Sequence, residues 1–389
     1  METQTRYALG IDASKDKMNV CLMILQAGGE WKVKAQHKFT NNAKGFKELH
    51  QWLKKHCKEA ITLRVLMEAT GVYHEKLAIY LVEAGYSVSI TLPNKARKYM
   101  QALGYKSKND KIDARGLAQM CWQFQFDKWQ PISKYYYELR QLTRHYQSLM
   151  ELKTNIGNQR HALEHSAYIS KEVISQLNKT IALIEKQITA TKQAIVSHVN
   201  PNEEIKRKVS HACKIKGIDV LTVATVLAET NGFILFKNIA QLVSYAGYDV
   251  IENQSGKHNG KTRISKKGNS RIRRAMHLPA FNVVKYKQFP FAGLYERVYD
   301  RTKIKMKAYV AVQKKLLVMI YTLWTKDCDY INDFKKTSGN VEPRALFPFF
   351  VYDHNTNGAK IVVPPNSSTT QDELRYNVSP EALFPLQQI

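Results

Sequence analysis

The first stretch with a clear period is Tyr7-Ala-Leu-Gly-Ile-Asp12, where Tyr7, Leu9 and Ile11 alternate with small residues. A period of two predicts a β-strand, here one that runs into a carboxylate, with Gly10 letting the backbone bend close to whatever Asp12 holds. Met18 to Leu25 predicts a second strand, and Trp31 to Phe39 alternates as a third. The joining turns are short, so the three form an antiparallel meander. The period then changes: Phe46, Leu49, Trp52 and Leu53 recur at helical spacing behind Asn42, a side chain suited to an N-cap. A strand over 61–67 ends on Glu68, a helix is predicted over 73–84, and a strand over 86–92 is stopped by Pro93.

Three strands followed by alternating helix and strand is the order of the ribonuclease H fold, an α/β mixed sheet with helices on both faces. That domain is expected over 1–128. From Tyr135 onward Leu139, Leu142, Tyr146, Leu149 and Ile156 follow a three-four spacing, resumed by Leu177, Ile181, Ile184, Ile188 and Ile195 up to Asn200-Pro201. This predicts a helical coiled-coil linker over 129–205, with its bend at Gly157 or within 161–170. Its two helices could pair with another protomer or pack on their own chain. A mainly α C-terminal domain is expected over 206–333. It opens with a helix-hairpin-helix-like segment at Ile215-Lys-Gly217-Ile-Asp219, continues as a short helix over 236–245, and closes with a long basic helix from Arg301 to Trp324. In that segment Asp219 would work against phosphate contact, which leaves a purely structural turn as the alternative. From Lys335 to Ile389 the composition shifts to Pro, Ser, Asn and Thr, a tail to which no chemistry is assigned.

Charge narrows the function. With 59 Lys and Arg against 33 Asp and Glu, the chain carries +26 at pH 7. Such a surface suits a polyanion, nucleic acid first, because neutralising phosphates releases condensed counterions. The five cysteines are scattered and form no C-x-x-C pair, which argues against a disulfide framework or a zinc site. No apolar leader follows the first residues and no apolar run reaches the ~18 needed to span a bilayer, so a cytoplasmic protein without a membrane partner is expected.

The candidate chemistry is carboxylate chemistry. Asp12 and Glu68 stand at strand ends, where neighbouring strands bring them together. Asp110 and Asp113, three apart in Lys108-Asn-Asp110-Lys-Ile-Asp113-Ala, share one helix face. Four converging carboxylates repel unless cations sit between them, which makes a two-Mg²⁺ site for phosphoryl displacement the natural reading. Lys95, Arg97 and Lys108 lie beside this set, placed to meet a phosphodiester backbone.

The set Gly10-Ile-Asp12, Met67-Glu68-Ala-Thr-Gly71-Val-Tyr, Leu92-Pro-Asn and Lys108-Asn-Asp110-Lys-Ile-Asp113-Ala resembles the DEDD transposases of bacterial insertion sequences, the insertion sequence 110 family. Its first domain is similar to the RuvC resolvase version of the ribonuclease H fold. The resemblance covers roughly residues 5–330. Further along, Gln254 to Arg274 holds eight Lys or Arg, three glycines and no acid: Lys257, Lys261, Arg263, Lys266, Lys267, Arg271, Arg273 and Arg274 are candidate nucleic-acid contacts. Within the resemblance, Gln-Ser-Gly followed by Arg-Ile-Ser-Lys-Lys-Gly-Asn marks the catalytic serine, which is Ser255 here. As a bare Ser-Gly pair it would be a turn, and Ser265 competes in the same loop; His258 is a phosphate or solvent contact.

The resemblance implies a DNA recombinase that moves its own element. It would cleave and rejoin donor and target DNA through a transient phosphoserine, guided by a structured non-coding bridge RNA and acting as a homodimer or homotetramer. The first rival is a RuvC-type metal-dependent endonuclease that uses the same carboxylates with water. A sugar kinase or actin-like ATPase would need an Asp-x-Gly phosphate loop, which the chain lacks. A non-enzymatic nucleic-acid-binding protein would account for the charge but leave the carboxylates unexplained.

Overall fold

The computed structural model describes residues 6–26, 28–57, 62–105, 109–252, 254–255, 258–260, 262–332, 350–353 and 358–361. The chain divides into two compact units, Met1–Lys134 and Tyr135–Ile389.

In the first unit β1 (Arg6–Ala13), β2 (Lys17–Leu25) and β3 (Trp31–Thr40) form the meander. After α1 (Ala43–His56), β4 (Thr62–Glu68) returns parallel to β1. After α2 (Glu75–Glu83), β5 (Ser87–Thr91) lies parallel to β4. The sheet order is β3-β2-β1-β4-β5, the expected ribonuclease H-like arrangement. Asn42 caps α1 by accepting from Gly45 N at 2.9 Å. Pro93 ends the β5 connection and opens α3 (Pro93–Ala102), where its missing N–H costs nothing. Asn109 caps α4 (Asp110–Gln123) by accepting from Ile112 N.

The period of two divides the sheet between two layers. Tyr7, Leu9 and Ile11 of β1, Met18, Val20 and Leu22 of β2, and Leu63, Val65 and Met67 of β4 pack with α1 and α2. Each such side chain contributes roughly 1.5–3 kcal/mol on burial. On the other face Ala8 and Leu66 meet α3 and α4, while Cys21 and Met23 meet Ala114 and Ala118 of α4. Gly10 explains how close α4 comes. A Cβ there would lie 2.2 Å from Ala114 O and 2.2 Å from Ala118 N. Backbone on both sides cannot move aside as a side chain can. Gly10→Ala is therefore expected to cost about 3 kcal/mol, the upper end of overpacking, read as a lower urea midpoint. An unchanged midpoint would mean that α4 does not rest on β1 there.

The second unit begins with α5 (Lys134–Glu164) and α6 (Lys171–Val199). They run antiparallel: Tyr135 stacks with His198, and Lys153 pairs with Glu185 at 2.8 Å. Gly157 lies inside α5, so the turn falls at 165–170, within the second of the two expected stretches. Leu139, Ile195 and Val199 share one core with α7 (Glu203–Cys213), α8 (Val220–Thr230), α9 (Ile239–Tyr245), α10 (Ser270–Ala275), α11 (His277–Lys285), α12 (Phe291–Thr302) and α13 (Lys305–Lys326). The basic helix expected from Arg301 starts at Lys305 instead, because α12 runs on to Thr302 and Lys303 ends it in the left-handed conformation at φ 54°. Asp219 settles the α7–α8 turn. Its carboxylate caps α8, accepting from Thr222 N at 2.9 Å and Thr222 Oγ1 at 2.7 Å, so it occupies the place where a phosphate would bind.

Four short strands lie between α9 and α10. Val250–Ile251 (β6) pairs with Arg263–Ile264 (β9), and between them Gln254–Ser255 (β7) pairs with His258–Asn259 (β8). In the tail, Phe350–Asp353 (β10) and Gly358–Ile361 (β11) form a hairpin.

Candidate active site

The parallel register pairs Ile11 with Met67, so Asp12 and Glu68, one residue further on, leave neighbouring strand ends side by side. Strand alternation puts Asp12 on the face of Ala8 and Gly10, and Glu68 on the face of Leu66. That is the face α4 covers. Asp110 and Asp113 stand in the first turn of α4, just before the Ala114 carbonyl that rests on Gly10. A sheet edge and a helix start thus bring four carboxylates from three elements to one face. Asp12, Glu68 and Asp113 are half-buried and Asp110 is exposed.

Three neighbours that the sequence reading missed complete this corner. Asn19 pairs with Asp12 across β1 and β2, is buried, and donates from Nδ2 to Asp110 Oδ2 at 3.2 Å. Thr70 Oγ1 donates to Glu68 Oε1 at 3.3 Å. Thr91 is the β5 partner of Glu68 in the register, and its hydroxyl is buried without a hydrogen-bond partner among the described residues. A motif built on acidic residues gives no signal for a polar neutral side chain on the next strand.

Hard oxygen donors on one face, with an unsatisfied hydroxyl beside them, fit a divalent cation such as Mg²⁺. Among the described residues, however, no three His, Cys, Asp or Glu side chains are gathered closely enough to hold a metal. The carboxylates share a face without closing on a point, since closing them costs like-charge repulsion that a cation would offset.

In the second unit Ser255 is exposed on β7, directly opposite His258. Ser265 is half-buried, and its Oγ accepts from Lys267 N at 3.2 Å. Asn269 then caps α10, accepting from Arg271 N and Ile272 N. Its Nδ2 donates at 2.7 Å to Glu229, a carboxylate 3% exposed. Arg144 of α5 grips the same carboxylate at 2.7 and 2.9 Å. Burial opposes the charge of Glu229, but the hydrogen bonds from Arg144 and Asn269 outweigh it and hold the carboxyl below its usual range. This buried anchor fixes the junction between the basic segment and α10, and the sequence reading did not single it out.

The candidate nucleic-acid contacts divide by environment. Lys95 and Arg97 on α3, and Arg263, Lys266 and Lys267, are exposed. Arg273 donates to Ala246 O at 2.9 Å, and Arg274 pairs with Glu151. Arg271 is half-buried, and its Nε has no hydrogen-bond partner among the described residues. Lys108, Lys257 and Lys261 lie outside the described residues.

A sequence profile described as transposase, of the DEDD IS110 type, matches residues 9–169, and one described as transposase IS116/IS110/IS902 family matches 210–296. The pilin gene-inverting protein of Moraxella bovis is 30% identical over 321 residues, which cover 81% of this chain and 94% of that protein. The chain belongs to the IS110 transposase family. The pilin gene-inverting protein of Moraxella lacunata is 29% identical over the same shares. Among solved structures, Thermus thermophilus RuvC overlaps 29% of this transposase and 90% of its own chain at 13% identity, with a TM-score of 0.23. The fold assignment therefore rests on strand order and register. Among the described residues, no helix of the transposase is long and apolar enough to cross a membrane.

Proposed function

We propose that this transposase is a site-specific DNA recombinase that cleaves and rejoins donor and target strands through Ser255. The observation that carries the reading is the placement of Asp12, Glu68, Asp110 and Asp113 toward the α4 face of the sheet. These residues would hold two Mg²⁺ ions, which when bound supply charge neutralisation at the scissile phosphate. Asn19 and Thr70 orient Asp110 and Glu68 for that task. Ser255 Oγ attacks phosphorus, giving up its proton as the O–P bond forms. The bond from phosphorus to one deoxyribose oxygen breaks, and that oxygen leaves as a hydroxyl. Attack by a new strand's hydroxyl reverses the step and frees the serine. The exposure of Ser255, against the engaged hydroxyl of Ser265, supports its assignment.

The basic segment from Lys257 to Arg274, with Lys95, Arg97 and Lys108, would track the phosphates of DNA and of a structured bridge RNA that pairs with both sites. The α5–α6 pair, which exposes Leu152, Val173 and Leu183, would provide the surface for assembly with another copy.

The test is recombination in a bacterial host carrying the gene with its native flanking DNA, with junctions scored by amplification. Ser255→Ala is expected to remove junctions entirely, since it takes away the hydroxyl proposed to conserve the phosphodiester bond. Junctions at the wild-type level would displace the serine. Strand cleavage without junctions would point to the endonuclease that uses water.

A further inference from the structure

We infer that a hollow in the second unit, which Ser255 does not line, takes a single unpaired nucleotide. The hollow measures about 560 Å³, inside the ~300–1,000 Å³ range of small-ligand pockets. It lies between the end of the basic segment, the junction of α10 and α11, and the first turns of α13. Leu278, Met306 and Val310 give it an apolar wall. Leu278 is 71% exposed and Met306 52%, more than large apolar side chains gain from open water. Lys266, Arg273 and Arg274 stand at the same hollow, and no carboxylate lines it among the described residues.

The cations are held in place. Lys266 sits at φ 53°, with its N–H on Gly247 O at 3.1 Å and its own carbonyl accepting from Gly268 N at 3.1 Å. Arg273 is tethered to Ala246 O. No side chain caps α13, and its first turn carries Lys305 and Lys307 in place of acids, so the helix dipole and the lysines together favour an anion.

The back of the hollow is polar and ordered. Tyr248 donates its hydroxyl to Gln313 Oε1 at 3.1 Å, and burial pushes the Tyr248 phenol up, with Arg273 pulling the other way, so it remains a donor. Gln313, 4% exposed, then presents Nε2 to His277 Nδ1 at 3.2 Å. An amide nitrogen only donates, so in this hydrogen bond His277 Nδ1 is the acceptor, which leaves Nε2 as the ring's donor. Apolar wall, cationic rim and an oriented ring donor together match a nucleotide: base against Leu278 and Met306, phosphates on Lys266 and the start of α13, with Arg274 held by Glu151 beside them, and a base-edge acceptor toward His277. A phosphate alone would need no apolar wall, and paired bases would not expose a face to it.

The inference rests on the reading of the chain as a nucleic-acid enzyme. The test uses the full chain with duplexes that are fully paired or carry a single-base bulge filled by a fluorescent adenine analogue, each made in DNA and in RNA. The bulged duplex is expected to bind about tenfold more tightly than the paired one in at least one of the two arms, with a change in analogue emission. The arm that responds identifies the source of the nucleotide. The double variant Leu278→Ser with Met306→Ser alters exposed side chains only, and is expected to bring bulged binding down to the paired level. Equal binding of bulged and paired duplexes by the wild type in both arms, or a preference that survives the double variant, would overturn the pocket. Failure to bind any of the four duplexes would overturn the nucleic-acid reading itself.

Discussion

Asp12→Asn is expected to lower strand cleavage by roughly three orders of magnitude while leaving the first unit folded. Asp12 is half-buried at the last turn of β1, so asparagine fits its space and keeps the register with Asn19. What it removes is one negative charge from the set that faces α4. A ligand that helps stabilise transition-state charge contributes several kcal/mol, and each ~1.4 kcal/mol is tenfold in rate. Cleavage of a supercoiled plasmid bearing the native flanks gives the rate, and circular dichroism reports the fold. Glu68→Gln and Asp110→Asn should fail in the same way. Cleavage by Asp12→Asn at the wild-type rate would show that the sheet edge is not the reaction centre.

The second large effect is on stability. Glu229→Ala is expected to destabilise the second unit by about 3 kcal/mol, the low end for breaking a buried ion pair. The low end applies because the Arg144 side chain is 40% exposed and water can solvate it once its partner is gone. Part of the cost falls on Asn269, whose Nδ2 loses its acceptor while its oxygen still caps α10. The linkage to pH has a definite sign. A folded-state pKa below the unfolded one gives stability that is present above the unfolded value of about 4.3 and is lost as pH falls through the folded value. Urea unfolding should therefore show the wild type losing stability below about pH 4, and Glu229→Gln removing this part of the loss. A pH profile that Glu229→Gln leaves unchanged would show that the carboxylate is not charged in the folded chain.

The sheet was legible because β1 carries a period of two and β2 a continuous apolar run. Tyr7, Leu9 and Ile11 and their partners on β2 and β4 fall on one face without exception. The acidic positions were legible as strand ends and a helix start. Their convergence was expected from strand order and helix spacing; the close seat of α4 on β1, which Gly10 permits, was not, since no local pattern states it. Asn19 and Thr91 escaped for a related reason: each matters through a partner on another strand, not through a neighbour in sequence. Gly157 misled because a glycine in a long helix is tolerated at ~1 kcal/mol, which the contacts of α5 absorb. The long basic helix was expected to start at Arg301 and starts at Lys305, because the break falls at Lys303, a residue type with no preference for left-handed backbone, so nothing in the sequence marks it.

The groups proposed to act together are made at different times. The first unit ends at Lys134 and Ser255 follows 255 − 134 = 121 residues later. At ~5–20 residues per second, with domains folding as they emerge, a growing chain holds its carboxylate unit complete for roughly 6–24 s before the serine exists. During synthesis the protein passes through a stage that has the acidic face but not Ser255, so with Ser255 as the proposed nucleophile the order of translation keeps an unfinished copy from joining strands.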